Sequence, residues 1–388
     1  MRIILSTSEL EDYCGYARKF PYIAIDTEFM RERTYYAVLC LVQMAVQDSD
    51  DSSVALIDPI GGNVDLAPLF ELLDDKGIVK VVHSGRQDLE IFYQLGGVLP
   101  TPLFDTQVAA MVCGFGDHVG YEKLVKTVAG GHLDKSMRIS DWSHRPLTAA
   151  QMKYASADVT HLRKIYEVFS ADLASSGRMA WLDEEMATLL DPDTYRADPR
   201  NAWKKIKSRN QRRDFLAILR ELAQLREIEA RRRNQPKTFI IKDEALLEIA
   251  GARPRTHQQL GKMRFMNRES GKKSNLATKI LEAVSRGINC PELDRPEVPD
   301  AERQSINASM LDLLRVLLKS KAEKNGVAER LIASAADLKD LASGNTSCRP
   351  TQGWRHEIFG NDALRLVRGE LALAASGSEI ALIELDTA

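Results

Sequence analysis

Tyr22-Ile-Ala-Ile-Asp26-Thr-Glu28 is the stretch on which the reading of this chain turns. Residues 22–25 are a short apolar run of the kind that forms a buried strand. If the strand continues through the acids, Asp26 and Glu28, two positions apart, project from the same face. One strand then presents two carboxylates together. Asp-x-Glu at a strand end also arises by chance, so its meaning depends on what the rest of the chain brings to it.

Working outward, further β-like runs occupy residues 38–46, 54–57 and 78–82, each bounded by turn residues. Helical spacing appears over 65–73, 89–95 and 148–174. Alternation of the two patterns predicts an α/β domain. His83-Ser-Gly-Arg-Gln-Asp88 follows one of the strands and places Asp88 near a helix start, where an acid is also favoured by the helix dipole alone. In Tyr154-Ala-Ser-Ala-Asp158 the phenol and the carboxylate are four apart and share a helix face. Asp105, in Leu-Phe-Asp-Thr, is a further acid at a strand end.

Beyond residue 190 the strand signals fade. Asp191-Pro-Asp-Thr-Tyr-Arg-Ala-Asp-Pro-Arg200 has two prolines and no apolar period, which suits a linker. Leu216, Leu219, Leu222 and Ala223 then mark a helical stripe. A second proline-rich break at 290–299 precedes more helices from about Ser305. The boundaries expected are an α/β domain at 1–190, a linker at 191–205, a helical domain at 206–287, a linker at 288–302, a second helical domain at 303–372 and a tail at 373–388.

The formal net charge of -2 conceals an asymmetry: by segment it is -11 over residues 1–200, +13 over 201–290 and -4 over 291–388. A polyanion is held by clustered cations, whereas a metal-dependent site is rich in carboxylates, so acidic and basic parts can serve one substrate. Five scattered cysteines include no Cys-x-x-Cys pair, which fits a reducing cytoplasm. Only three apolar residues in a row near the start are too few for a signal-peptide core, and no segment suggests a membrane span.

Phosphodiester hydrolysis needs a water made nucleophilic at neutral pH and a stabilised leaving oxyanion, and two divalent ions supply both. Magnesium and manganese prefer oxygen donors, so an open group of acids fits them better than His83 or His161 would.

In order and spacing these segments resemble ribonuclease D, a family of the DEDD exonuclease superfamily. Ala24-Ile-Asp-Thr-Glu-Phe-Met-Arg-Glu-Arg-Thr-Tyr-Tyr36 is similar to its first motif and Val82-His-Ser-Gly-Arg-Gln-Asp-Leu-Glu-Ile-Phe92 to its second. Ser140-Asp-Trp-Ser-His-Arg-Pro-Leu-Thr148, with Gln151 and Tyr154-Ala-Ser-Ala-Asp-Val159, is similar to the third. The resemblance implies a ribonuclease H-like fold, a mixed five-stranded sheet flanked by helices. It implies 3′ to 5′ removal of nucleotides from RNA, 3′-extended tRNA precursors being the substrate the family suggests. Asp26 would bridge two Mg2+ or Mn2+ ions, Glu28 and Asp158 would complete one ion's ligands, and Asp88 would hold the second directly or through water. Tyr154 marks the tyrosine subclass and would position the attacking water. Asp105 is structural in the family and stays outside the metal set.

Residues 206–287 resemble the HRDC domain, most closely over Arg226-Glu-Ile-Glu-Ala-Arg-Arg-Arg-Asn-Gln-Pro-Lys-Thr-Phe-Ile-Ile241. Arg231, Arg232, Arg233, Lys237, Lys272 and Lys273 are candidate phosphate contacts. The last module, around Gly353-Trp-Arg-His-Glu-Ile-Phe-Gly360, is similar to a second, diverged, all-helical HRDC-type domain, with Trp354 expected in its core. RNA is the expected partner of a monomer, with neither a membrane nor an organic cofactor involved. A DNA exonuclease built on the same carboxylates remains the alternative, and the HRDC resemblance does not separate the two. A non-catalytic RNA-binding protein is disfavoured because none of the four acids or Tyr154 is missing.

Overall fold

Apolar runs rich in branched residues become strands because they suit a pleated surface covered by other elements. Six form one mixed sheet: β1 (Arg2–Ile4), β2 (Tyr22–Met30), β3 (Val38–Val46), β4 (Ala55–Ile57), β5 (Val79–Val82) and β6 (Leu103–Asp105), in spatial order β1-β4-β3-β2-β5-β6. β2 and β6 both run parallel to β5, β1 runs parallel to β4, and β3 is antiparallel to β4. The computed structural model of the chain describes every residue outside 48–52, 118, 135, 138, 264–273, 298–306 and 386–388.

The sheet has six strands where five were expected. The additional one is β1, whose three residues are too few for a period-2 pattern to show, and which is held by pairing from Arg2↔Ala55 to Ile4↔Ile57. The condition set on the key strand is met: β2 runs nine residues, through both Asp26 and Glu28.

The helices that follow are α1 (Thr7–Ala17), α2 (Ala67–Asp74), α3 (Arg86–Gly96), α4 (Thr106–Val112), α5 (Tyr121–Leu124), α6 (Ala149–Ser175) and α7 (Met179–Leu189). α6 carries Tyr154 and Asp158. It starts at a capping box in which Thr148 accepts from the Gln151 backbone and Gln151 accepts from Thr148 in return, satisfying two donors that the first turn leaves unpaired. Its buried positions, among them Ala155, Asp158, Val159, Leu162, Ile165, Phe169 and Leu173, recur at helical spacing and pack on β4 and β5.

The chain divides into two compact units: Met1–Glu28, Leu41–Asp191 and Asp300–Ala388 in one, Phe29–Cys40 and Pro192–Pro299 in the other. The second unit contains α8 (Arg213–Arg233), α9 (Lys237–Ile240), α10 (Asp243–Ala252), α11 (His257–Leu260) and α12 (Asn275–Ile288). Leu216, Leu219, Leu222 and Ala223 lie in its core, as their spacing predicts. The supposed linker after residue 190 is folded: Pro199–Lys205 is a 3₁₀ turn packed on α8.

The last module holds α13 (Ala308–Asn325), α14 (Glu329–Ile332), α15 (Ala335–Ala342), α16 (Gly353–Arg355) and α17 (Asn361–Val367). It belongs to the same unit as the sheet and is not wholly helical. Residues set apart as a tail form an antiparallel hairpin, β7 (Leu371–Ser376) with β8 (Glu379–Glu384). Trp354 is buried and lies flat on Trp181, ring centroids 4.5 Å apart and planes 9° apart. Beside it, Arg355 pairs with Glu184 at 2.8 Å and with Glu185. A stacked indole pair and the ion pairs of a buried arginine are interactions between residues 170 or more positions apart, which no local pattern signals.

In the second unit the basic run does not stand free. Glu229, 2% exposed, is paired with Arg232 at 2.8 Å, Arg233 at 3.1 Å and Lys279 at 2.6 Å. Glu227, equally buried, meets Arg231 at 3.5 Å and Lys237 at 3.1 Å and accepts the Tyr35 hydroxyl. Asn234, in the left-handed conformation that ends α8, accepts from the backbone N–H of Tyr35 and of Tyr36 at 3.1 Å each. The Thr-Tyr-Tyr string after the acids is thus a structural part of this unit. Lys272 and Lys273 lie outside the described residues.

Arg232, working against burial, holds the Glu229 carboxyl down at about 2, with help from Lys279 and Arg233. A carboxylate with a depressed folded-state pKa contributes stability above its ordinary value of about 4.5 and loses it as pH falls toward 2. Glu229→Gln is therefore expected to cost about 2 kcal/mol at pH 7, discounted for its partly exposed partners, and progressively less below pH 4.5. Urea unfolding of the two proteins across that range checks this, and a deficit indifferent to pH would contradict it.

Candidate active site

β2 carries Asp26 and Glu28 with their side chains on one side, and α6 brings Asp158 to them. One carboxylate oxygen from each of the three lies within 4.8 Å of the other two. Asp88, in the first turn of α3, stands outside this trio among the described residues, and its carboxylate accepts the hydroxyl of Thr27, the residue between the two acids of β2. Tyr154, one helical turn before Asp158, gives its hydroxyl to the Asp158 carboxylate.

Asp88 and Asp158 are buried, Asp26 and Glu28 are half-buried, and the four repel one another; loss of water and like charge both favour the protonated form. Burial, then the charges of Asp26, Asp158 and Asp88, pushes Glu28 up to about 9. Burial pushes Asp158 up to about 7 against the pull of the Tyr154 hydroxyl. Asp26 and Asp88 are raised well above the usual carboxylate range, Asp26 by burial and the Asp158 charge, Asp88 by burial and the Asp26 charge. So many acids in one buried place are stable as anions only beside cations. An open, all-oxygen donor set of this kind suits magnesium or manganese, and the residues present fit such ions.

The surrounding frame is built from acids with other tasks. Asp105 accepts from the backbone N–H groups of Ser84 at 2.9 Å, Gly85 at 2.9 Å and Gln107 at 2.8 Å, capping α4 and pinning the turn between β5 and α3. That turn needs the anchor: Ser84 has φ +57, and a Cβ at Gly85 would meet Val82 Cγ2 at 2.5 Å. Asp58, at the end of β4, holds Arg145 through two contacts of 2.6 Å. Arg145 also donates to the carbonyls of Trp142 at 2.7 Å and His144 at 2.8 Å, which fixes the loop leading into α6. The same loop sets the buried Trp142 ring 6.0 Å from that of Tyr154.

A cavity of about 150 Å³ opens beside the trio, lined by Asp26, His83, Tyr121, Tyr154, Asp158 and Leu162. Sequence reasoning missed Tyr121, whose hydroxyl donates to the Asp158 carbonyl oxygen. It missed Asp58 and Thr27 too. Arg145 falls inside the third motif, and nothing in its local pattern signals a partner 87 positions away.

A sequence profile described as 3′-5′ exonuclease matches residues 1–174, and one described as HRDC domain matches 215–284. Ribonuclease D of Jannaschia sp. (strain CCS1) is 52% identical over 383 residues, covering 98% of this chain and 99% of its own length. This chain belongs to the ribonuclease D family. Ribonuclease D of Granulibacter bethesdensis is 46% identical, covering 98% of this chain and 96% of its own. The crystal structure of Escherichia coli RNase D, described as an exoribonuclease involved in structured RNA processing, superposes with a TM-score of 0.82 at 30% identity, covering 95% of this chain and 98% of that one. The chain is a hydrolytic 3′ to 5′ exoribonuclease acting on RNA, and its family uses divalent metal ions. No helix among the described residues is long and apolar enough to cross a membrane.

If repulsion among the acids is what the ions relieve, Asp26→Asn should raise the melting temperature of the protein in EDTA, on the order of 1 kcal/mol in stability. Added Mg2+ or Mn2+ should stabilise the unsubstituted protein by about 2.7 kcal/mol at a hundredfold excess over Kd, and the variant far less. Equal metal-induced shifts in both proteins would refute this account of the cluster.

Proposed function

We propose that this exoribonuclease trims 3′-extended tRNA precursors, releasing 5′-mononucleotides, with Asp26, Glu28, Asp88, Tyr154 and Asp158 as its active site. The observation that carries the reading is the convergence of Asp26, Glu28 and Asp158 within 4.8 Å, with Tyr154 bonded to Asp158. Two divalent ions, Mg2+ or Mn2+, would be held by Asp26, Glu28 and Asp158 on one side and Asp26 with Asp88 on the other. When bound, such ions supply a water ionised near neutral pH and positive charge for the leaving oxygen.

The chain's own residues do the remaining work. Thr27 orients Asp88 through its hydroxyl. Tyr154 orients the attacking water; with an ordinary pKa of about 10 a phenol is a poor base at neutral pH, and its value lies in position. Asp58 and Arg145 hold the entry to α6 so that Tyr154 and Asp158 keep their places. Phosphate contacts from the second unit would come from the solvent-facing parts of Arg232, Arg233 and Lys237, whose side chains are 61%, 36% and 39% exposed. Arg231, bonded to Tyr35 and to the Ala197 carbonyl, is committed to the fold and contributes least. The protein works as a monomer in the cytoplasm on this reading.

Incubating the full chain with a 3′-extended tRNA and Mg2+ or Mn2+ should give a ladder shortening from the 3′ end, and none in EDTA. Asp26→Asn should abolish trimming while leaving tRNA affinity unchanged, and Tyr154→Phe should lower kcat on the order of 10²-fold with little change in KM. Trimming that persists in Asp26→Asn, or a preference for matched 3′-tailed DNA, would overturn the assignment.

A further inference from the structure

One wall of the cavity beside the carboxylates has no task in the mechanism above, and that wall is His83. It is the first residue after β5, and continuing the parallel register two positions past Ala24↔Val81 brings it level with Asp26 on the neighbouring strand. The ring is tightly fixed. Its Nδ1 lies 3.0 Å from Thr106 Oγ1, and its ring centroid lies 5.0 Å from that of Tyr121, the planes tilted by 47°.

The tautomer follows from the bonds. Thr106 Oγ1 also lies 3.0 Å from the Val82 carbonyl oxygen, which can only accept. The single hydroxyl proton therefore goes to Val82, and Thr106 Oγ1 must accept from the ring, which puts the imidazole proton on Nδ1. Nε2 is left with a lone pair, and no described residue is bonded to it. With Nδ1 turned toward Thr106, the opposite edge of the ring is the part that lines the cavity.

That lone pair faces a space whose other polar groups are the Asp26 and Asp158 carboxylates, the Tyr154 hydroxyl, already given to Asp158, and the Tyr121 hydroxyl, already given to a carbonyl. The two carboxylates are assigned to the metal ions, which leaves His83 Nε2 as an acceptor on this wall, and the group that meets it must bring a donor. A phosphodiester has none, whereas the ribose at an RNA 3′ end has two hydroxyls. We propose that His83 Nε2 accepts a hydrogen bond from a hydroxyl of the terminal ribose, so that His83 is a specificity-determining residue for ribonucleotide ends. The inference rests on the reading that 3′-end hydrolysis takes place at the Asp26, Glu28 and Asp158 cluster.

A cycle between side chain and substrate tests it. Three single-stranded RNAs of one sequence, ending in ribose, 2′-deoxyribose or 3′-deoxyribose, are compared on the unsubstituted enzyme, on His83→Phe, which keeps a flat ring against Tyr121, and on His83→Gln, which keeps an acceptor at similar reach. The unsubstituted enzyme should prefer the ribose end over one of the deoxy ends by about 3–10-fold in kcat/KM, the worth of one neutral hydrogen bond. That ratio should fall to near one in His83→Phe and survive in His83→Gln. A merely structural role would lower activity on all three ends alike and leave the ratio intact, which refutes the proposal. So does an unsubstituted enzyme indifferent to both hydroxyls, a result that requires no variant to fold. A protein that trims no 3′ end at all fails the exonuclease reading; one that trims every end with ratios blind to His83 fails only this inference.

Discussion

Electrostatic repulsion among buried carboxylates is the constraint around which this nuclease is built. Asp26, Glu28 and Asp158 are brought within 4.8 Å of one another, and Asp88 is close enough for its charge to act on Glu28. Left to themselves, acids in such a place would shed charge by taking up protons or would move apart. A rigid frame prevents the second outcome, and divalent cations, which the family uses, would prevent the first. The frame must therefore come from elements able to hold like charges together: a central strand locked between neighbours and a 27-residue helix packed on the sheet.

Much of that rigidity comes from other acids used in a different way. Asp105 takes three backbone N–H bonds and Asp58 takes a bidentate arginine, so each has its charge met inside the protein. The four site acids have only partial satisfaction: the Thr27 hydroxyl for Asp88 and the Tyr154 hydroxyl for Asp158. The contrast in hydrogen bonding separates the structural carboxylates from those proposed to hold metal more cleanly than burial does, since Asp58, Asp88, Asp105 and Asp158 are all buried.

The same principle inverts in the second unit. There the burden is positive, and Glu227 and Glu229 lie at the centre of arginines and lysines that converge on them. A net charge of +13 over 201–290 marked this segment as one able to hold a polyanion. Part of that charge is instead spent inside the unit, where it also fixes Tyr35 and the Asn234 turn. Exposed fractions of the side chains, which a composition cannot report, decide how much remains for a ligand.

By itself the sequence determined a great deal here. Strand and helix periods placed β2, β3, β5 and α6 within a few residues, because apolar spacing is a local property of the chain. The two-residue interval of Asp26 and Glu28 and the four-residue interval of Tyr154 and Asp158 guaranteed shared faces once those elements formed. Family resemblance then supplied RNA, the 3′ end and the metals. What only the tertiary structure decided depends on partners far apart in the chain. β1 exists because β4 lies beside it, and the last module joins the sheet-bearing unit through Trp181 with Trp354 and Arg355 with Glu184. Arg145 acquires its role from Asp58, and His83 its proton position from Thr106. Hydrogen bonds, charge pairs and ring stacking act over a few ångströms of space, and distance along the chain carries no trace of them.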